Sequence, residues 1–350
     1  MIKASYSKRT LIFKRPAGTS RGILTEKDVF YLLLSETENP MKTGIGEVAP
    51  VPGLSPDHVP GLESKIMRLV LKINNGEKLS ENEFAGFPSL RFGYETAVAG
   101  IHSLSPVLLY PTKFTRGEEG IPINGLIWMG PKDFMLTQVE EKIKAGFTCL
   151  KLKIGAIDFD SELSILKSIR DRYPPGRIEL RVDANGAFTP EKAKEVLNQL
   201  APFGLHSIEQ PIKPGQYTSM NKLCCESPVP IALDEELIGV NNRSEKEKLL
   251  DKLRPQYIIL KPTLTGGIKA AEEWILLAEE RSIGWWITSA LESNIGLNAI
   301  AQWTATFETT NFQGLGTGAL FTNNIGSPLF VSGGSLHYQP DKKWDLESLI

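Results

Sequence analysis

The sequence predicts an α/β protein, a TIM-type barrel preceded by an α+β capping unit. Three observations carry that expectation. Beyond Pro106, short apolar runs recur roughly every 25 to 30 residues, the length of one strand and one helix with short loops. Helical patterns of apolar residues fall between these runs. The stretch before Pro106 instead reads as three strands followed by two helices, a unit of about 100 residues. An open doubly wound sheet is the alternative arrangement of the same repeats.

Taken in order, Ile2 to Phe13 and Asp28 to Leu34 have strand patterns, and Pro16 to Gly22 between them reads as a flexible connection. A third strand falls at Thr43 to Val48 and stops at Pro50 to Gly53. Ser55-Pro56 has the form of a helix cap with proline in the first turn, which predicts a helix running to about Ile73. A second helix is expected from Leu90 to Ile101, after Ser89. The barrel strands are then expected around Ile123, Leu150, Leu180, Ser207, Ala232, Ile259, Trp286 and Gly314. Helical patterns such as Gln138 to Lys144, Glu162 to Arg170, Glu191 to Leu200 and Ala270 to Ala278 separate them.

Composition narrows the function classes. The 350 residues are 41% hydrophobic and 23% charged, as in ordinary globular proteins, and the net charge of -2 gives no field for nucleic acid or a membrane surface. No apolar run approaches a bilayer span and the N-terminus lacks a signal-like core, so a cytoplasmic protein is expected. Cys149 lies in a strand, Cys224 and Cys225 are poorly placed to bridge, and the four histidines are scattered, which argues against disulfides and zinc.

The stretch Leu180 to Phe188, LRVDANGAF, points to chemistry. Alternate residues of a strand share a face, so Arg181, Asp183 and Asn185 point one way from an otherwise apolar strand. In barrels of this type, groups at the C-terminal ends of strands line the site. Those ends carry Lys151 and Lys153, then Asp183 and Asn185, Glu209, Asp234 with Glu235, Lys261, Ser289, and the glycines Gly314, Gly316 and Gly318.

Asp183, Glu209 and Asp234 end three successive strands, so closing the barrel crowds their carboxylates, which repel unless a cation lies between them. Oxygen donors suit Mg²⁺ or Mn²⁺ better than zinc. Pairing of each acid with a lysine from an adjacent strand is the alternative. Lys151 and Lys153 share a face, and Lys261 closes the ring from the other side. A lysine acts as a base only where nearby positive charge disfavours its ammonium form. Lys153 and Lys261 facing each other across a cation fit removal of a proton next to a carboxylate, with the cation stabilising the enediolate. For Lys151 alone, an ion-paired or solvated role fits equally well.

The motifs Lys151-Leu-Lys153, Asp183-Ala-Asn185, Glu209-Gln-Pro211, Asp234-Glu235 and Lys261-Pro-Thr-Leu-Thr-Gly-Gly267 resemble the enolase superfamily, in its muconate-lactonizing-enzyme subgroup. The resemblance spans Ile2 to about Phe330. It implies a lysine base working with Mg²⁺, and a modified TIM-type (β/α)7β barrel. An N-terminal α+β capping domain would cover 1–105, the barrel 106–325, and a segment returning to the cap 326–350.

Within the subgroup, Arg181, the stretch Ser289 to Gly296, and Gly314-Leu-Gly-Thr-Gly318 most resemble the o-succinylbenzoate synthase family. That implies metal-dependent dehydration of 2-succinyl-6-hydroxy-2,4-cyclohexadiene-1-carboxylate to 2-succinylbenzoate, in menaquinone biosynthesis. Dipeptide epimerases of the subgroup hold the substrate ammonium with an acidic pair at the eighth strand, where this chain has the glycine run. Backbone N–H groups there and the helix start beyond Ser289 suit a carboxylate, which makes Ser289, Gly314, Gly316 and Thr317 candidate substrate contacts.

By the same resemblance Lys153 removes the ring proton and helps the hydroxyl leave, and Lys261 supports the charge from the other face. Asn185 and Glu235 orient ligands, and Arg181 pairs with a carboxylate or polarises the base. His206 has the opposite strand parity to Glu209 and is expected outside the barrel, while Trp285 and Trp286 are expected to pack the core. Thr19 to Gly22 and Pro50 to Ser55 are candidate capping loops. The expected partner is a small dicarboxylate, with no nucleic acid or membrane and the oligomeric state open. N-succinylamino acid racemase, dipeptide epimerase or cycloisomerase activity, and a non-catalytic acid-binding barrel, are the competing readings.

Overall fold

The computed structural model describes residues 1–19, 22–103, 105–155, 157–347 and 349. The chain opens with a long antiparallel hairpin, β1 (Ile2–Thr19) and β2 (Gly22–Glu36), to which β3 (Thr43–Val48) adds a third strand. Residues 16–19, expected in a flexible connection, are instead part of the hairpin arm. The ladder slips between Ile12 and Ala17 and resumes at Ala17 opposite Leu24, so the irregular stretch absorbs Pro16, which has no N–H to give. Residues 20 and 21 lie outside the described residues.

Helices α1 (Leu62–Asn74) and α2 (Pro88–Ile101) pack on this sheet. The first starts later than Ser55-Pro56 suggests, because the Ser55 hydroxyl accepts from Val51 N at 2.7 Å and closes a turn backwards rather than capping a helix forwards. Leu62, Ile66, Leu69, Leu90, Ala97 and Ile101 meet Phe30, Leu32, Leu34 and Val48 in one apolar cluster. At Gly44 and Gly46 a Cβ would overlap backbone carbonyls of α2, so only glycine lets the helix lie this close.

After β4 (Ile121–Pro122) the barrel begins with β5 (Gly125–Ile127) and α3 (Lys132–Lys144). It continues through β6 (Cys149–Lys153), α4 (Phe159–Arg172), β7 (Glu179–Asp183), α5 (Pro190–Leu200), β8 (Ser207–Glu209) and α6 (Tyr217–Glu226). Then follow β9 (Ile231–Leu233), α7 (Arg243–Leu253), β10 (Tyr257–Leu260), α8 (Pro262–Thr265), α9 (Ile268–Glu279), β11 (Gly284–Ile287) and α10 (Asn294–Thr304). The seven strands from β5 to β11 pair in parallel and in sequence order. The expected eighth strand is reduced to Gln313, bridged to Ile123, and Gly314, bridged to Thr288. A glycine run has few side chains to pack, so this position closes the ring without a full strand.

Leu150, Leu152, Leu180, Val182, Ile208, Ile231, Leu233, Ile258 and Leu260 face outward into the main core with the helices. Burying each such side chain contributes about 1.5–3 kcal/mol. The strands are fixed by that face, which leaves the other free for polar groups. The C-terminal segment forms a hairpin, β12 (Leu329–Ser332) and β13 (Ser335–Tyr338), and β13 pairs with β4 at the N-terminal end of the first barrel strand. Trp344, Leu346 and Leu349 then reach the cluster between cap and barrel that contains Leu11, Phe13 and Phe321.

His206 departs from expectation. It stacks on Tyr257 with ring centroids 4.6 Å apart and meets Trp286 edge-on at 5.8 Å, within the ring of strands rather than against the helices. It precedes β8, so strand alternation does not govern it. Trp285 packs on Phe307 as core, and Trp286 lies inside the barrel.

Candidate active site

The strand register builds the site. Lys153, Asp183 and Glu209 are neighbours across β6, β7 and β8, and Asp234 follows β9. Lys151 Nζ lies 3.0 Å from Asp183 and touches Glu209. Lys153 Nζ donates to Asp183 Oδ2 and to Asn185 Oδ1, both at 2.6 Å. Asn185 Nδ2 in turn donates to Glu235 Oε1 at 2.9 Å, linking the lysine to a second acid. Asn185 has φ 44°, a left-handed conformation that asparagine tolerates better than most residues and that turns its amide back toward Lys153. Lys261 donates to Asp234 and stands 4.0 Å from Glu209.

The ion pairing set out as the alternative to a cation is thus the arrangement these side chains adopt. Among the described residues, no group of three or more His, Cys, Asp or Glu side chains is arranged to hold a metal ion, because lysines lie between the acids. Pairing is nonetheless incomplete. Glu209 is buried, and beyond the ion contact of Lys151 with Oε2 its carboxylate is unmet among the described residues: Lys261 stands 4.0 Å from Oε1. Burial, then the charges of Asp183 and Asp234, push its carboxyl up to about 8 against the pull of Lys151 and Lys261. A buried, acceptor-rich carboxylate between two others, all oxygen donors, fits a hard divalent cation.

Burial also works to raise Asp183, but Lys151, Lys153 and Lys261 hold it well below the usual carboxylate range. Sequence reasoning expected positive surroundings to weaken the ammonium forms. For Lys151 and Lys261 the reverse holds here: burial disfavours the charge, yet the carboxylates around them outweigh it and hold both above the ordinary lysine range.

Above these groups lies a cavity of about 620 Å³. Lys151, Lys153, Asn185, Glu235 and Lys261 floor it, and Ser289, Gly314, Gly316 and Thr317 form one side. Ser289 Oγ donates to Gly314 O at 3.1 Å and lies 2.7 Å from Thr317 Oγ1. Residues 13–18 of the hairpin and Val51, Pro52 and Leu54 roof the cavity, so the candidate capping stretch Pro50 to Ser55 borders it, whereas of the other, Thr19 to Gly22, only the preceding residues do among those described.

Enolase C-terminal domain-like proteins match residues 135–342 as a family. An o-succinylbenzoate synthase of Desulfotalea psychrophila is 48% identical over 96% of this chain and 98% of its own length. The chain belongs to the enolase superfamily, in its o-succinylbenzoate synthase family. A crystal structure of MenC from Desulfotalea psychrophila LSv54 matches with a TM-score of 0.86 at 44% identity, covering 96% of this chain and 99% of that one. The o-succinylbenzoate synthase of Thermosynechococcus elongatus BP-1, solved with Mg in its active site, matches with a TM-score of 0.71 at 25% identity, covering 89% and 92%. The protein is therefore an enzyme, a lyase. No helix among the described residues is long and apolar enough to cross a membrane.

Seen as a member of this superfamily, the chain places one supporting residue differently from expectation. Arg181 does not line the cavity. It sits one level below Asp183, its Nε donating to Glu179 at 2.7 Å and its Nη1 to Phe312 O at 2.9 Å, with the guanidinium 4.2 Å from the Trp286 ring centroid. It pairs with a carboxylate but does not reach Lys153. Among the cavity residues that escaped sequence reading is Asn124, whose buried Oδ1 accepts no hydrogen bond. Its signal was available, since it is in phase with Leu126, which pairs with the inward-facing Lys151.

Proposed function

We propose that this enzyme dehydrates 2-succinyl-6-hydroxy-2,4-cyclohexadiene-1-carboxylate to 2-succinylbenzoate. The observation that carries the reading is the cavity itself: Lys153 and Lys261 floor it above three buried carboxylates, and the wall from Gly314 to Thr317 carries no acid. Asp183, Glu209 and Asp234 would hold the divalent cation, Mg²⁺ or alternatively Mn²⁺, which stabilises negative charge developing on the ring carboxylate.

Lys153, positioned by Asp183 and Asn185, takes the proton from the ring carbon next to that carboxylate. Its ammonium then gives the proton to the departing hydroxyl, water leaves, and the ring becomes aromatic, so one base serves both halves of the elimination. Lys261, kept cationic by Asp234 and Glu209, faces the developing charge and stays protonated. Lys151 remains the counter-ion of Asp183 and Glu209. The Ser289 and Thr317 hydroxyls and the backbone at Gly314 and Gly316 receive the succinyl carboxylate, and the roof excludes water.

Exhaustive chelation should abolish turnover and added Mg²⁺ restore it. On a substrate panel, dehydration should far outrun epimerisation of Ala-Glu-type dipeptides, since no carboxylate awaits an ammonium at Gly316. Faster dipeptide turnover, or full activity after chelation, would overturn the proposal.

A further inference from the structure

Behind one wall of the cavity lies a lysine that the reaction leaves unused. Lys27 on β2 is buried, and its ammonium donates to carbonyls of two separate segments: Ala49 at 3.1 Å, Leu291 at 3.0 Å and Ala290 at 3.4 Å. Ala49 leads into Val51 and Leu54, while Ala290 and Leu291 follow Ser289. Val51, Leu54, Leu264 and Ala290 form one apolar cluster, and all four line the cavity. One ammonium therefore fastens, from behind, a wall made partly of cap and partly of barrel.

The turn it holds is not one the chain would adopt unaided. Leu291 has φ 63°, a left-handed conformation that is costly for a bulky residue and persists only where the surroundings fix it. Glu292 fixes it too, accepting from Ala290 N at 2.6 Å and from the hydroxyl of Thr263, two residues beyond Lys261. On the far side Glu47 of β3 accepts from Ser293 N at 2.8 Å and Gly296 N at 2.7 Å.

We infer that Lys27 is a positioning residue that sets the separation between the Val51–Leu54 wall and the Ser289–Leu291 wall, and with it the fit of the substrate's non-reacting part. The inference rests on this cavity being the substrate site proposed above. Loss of the ammonium leaves three carbonyls without their donor and frees the strained turn, which moves Ala290. Lys153 ends β6 and Lys261 directly follows β10, and both stay in place, so binding suffers before chemistry does.

The test compares Lys27→Met and Lys27→Gln with Glu95→Gln. Glu95 on α2 accepts from Ile268 N at 2.6 Å and Lys269 N at 3.3 Å, a contact between cap and barrel that lines no part of the cavity. The Lys27 variants should raise KM roughly tenfold or more with kcat within about threefold, the signature of lost uniform binding. Calorimetric affinity for 2-succinylbenzoate should fall by the same factor. Glu95→Gln should lower the melting temperature and leave KM alone. Should the Lys27 variants fail to fold, Ser55→Ala decides: it removes the bond that shapes the Val51 turn, and should raise KM in the same direction.

Wild-type KM and affinity in the Lys27 variants, or in Ser55→Ala if those are lost, would overturn the inference. So would an equal KM shift in Glu95→Gln. A wild type that binds 2-succinylbenzoate without catalysing the dehydration would instead overturn the proposed function, and the affinity comparison would still decide the role of Lys27.

Discussion

The barrel mouth and the joint between cap and barrel both bury lysine among carboxylates, yet the two clusters are completed differently. At the joint, Lys27 donates to three carbonyls, Glu47 accepts from Ser293 and Gly296, and Glu292 accepts from Ala290 and Thr263. At the mouth, Glu209 is equally buried, but only Oε2 has a close donor among the described residues, Lys151, while Oε1 has Lys261 no nearer than 4.0 Å. A buried polar network whose partners are all present within the chain holds architecture together. One that keeps an acceptor unmet has room in its chemistry for something the chain does not supply.

The largest expected effect lies at the mouth. Lys153→Ala should lower turnover by about 10²–10⁴-fold while 2-succinylbenzoate still binds by calorimetry. Lys153→Arg should fail almost as far, because a guanidinium cannot accept the proton. An active Lys153→Arg enzyme would shift the base to Lys261.

The pH dependence of the chelated protein separates the clusters next. Glu209 keeps its proton in the folded protein up to about 8, whereas an ordinary glutamate releases it near 4.5. Between those values the folded state binds more protons than the unfolded chain, so this group's contribution to stability falls as pH rises through the window and levels off above it. Asp183, held low by three lysines, gives the opposite slope only below its ordinary value of 3.8. Burial raises Glu47 and Glu235 in the same direction as Glu209, so the informative quantity is the difference between wild type and Glu209→Gln. That variant should lack the Glu209 part of the slope and should no longer bind the cation; identical urea midpoints across pH 5 to 8 would refute the assignment.

A smaller loss is expected at the joint. Glu47→Ala leaves the Ser293 and Gly296 N–H groups without an acceptor and should cost about 1–3 kcal/mol in urea unfolding, with cation affinity unchanged. Joint variants that weakened cation binding would erase the distinction between the clusters. Smallest is Gly316→Asp. The nearest atom to a Cβ there is 3.5 Å away, so the fold accommodates it. A new carboxylate facing a dicarboxylate should raise KM by roughly tenfold; an unchanged KM would remove this loop from the substrate contacts.

The mouth was legible in the sequence and the joint was not, for a physical reason. Asp183, Glu209 and Asp234 end successive strands whose outward faces are aliphatic, so parity and order alone place them together. Lys27 and Glu47 lie on antiparallel strands where a lone charge reads as a solvent-facing residue, and the partners that bury them come from residues 290–296, far along the chain. His206 and Ser55 misled because each belongs to a turn, where neither strand alternation nor helix capping sets direction. Arg181 was placed on the correct face, but parity says nothing of height, and it lies a level too low to meet Lys153.

The ring of strands is closed by two bridged residues, Gln313 to Ile123 and Gly314 to Thr288. Every other parallel pairing in that sheet joins strands adjacent in sequence and can form as the chain is made. The contact between positions 123 and 313 closes a far longer loop and carries the larger entropic cost. Just beyond it, Leu320 O accepts from Lys14 N at 2.8 Å and the Phe321 ring packs, tilted, on Phe13, which seats the hairpin over the cavity. Ring closure, the Gly314–Thr317 wall and the roof therefore belong to one late event in the life of the chain. The floor groups, all between positions 151 and 261, can assemble before that stretch emerges, whereas the walled and roofed pocket cannot.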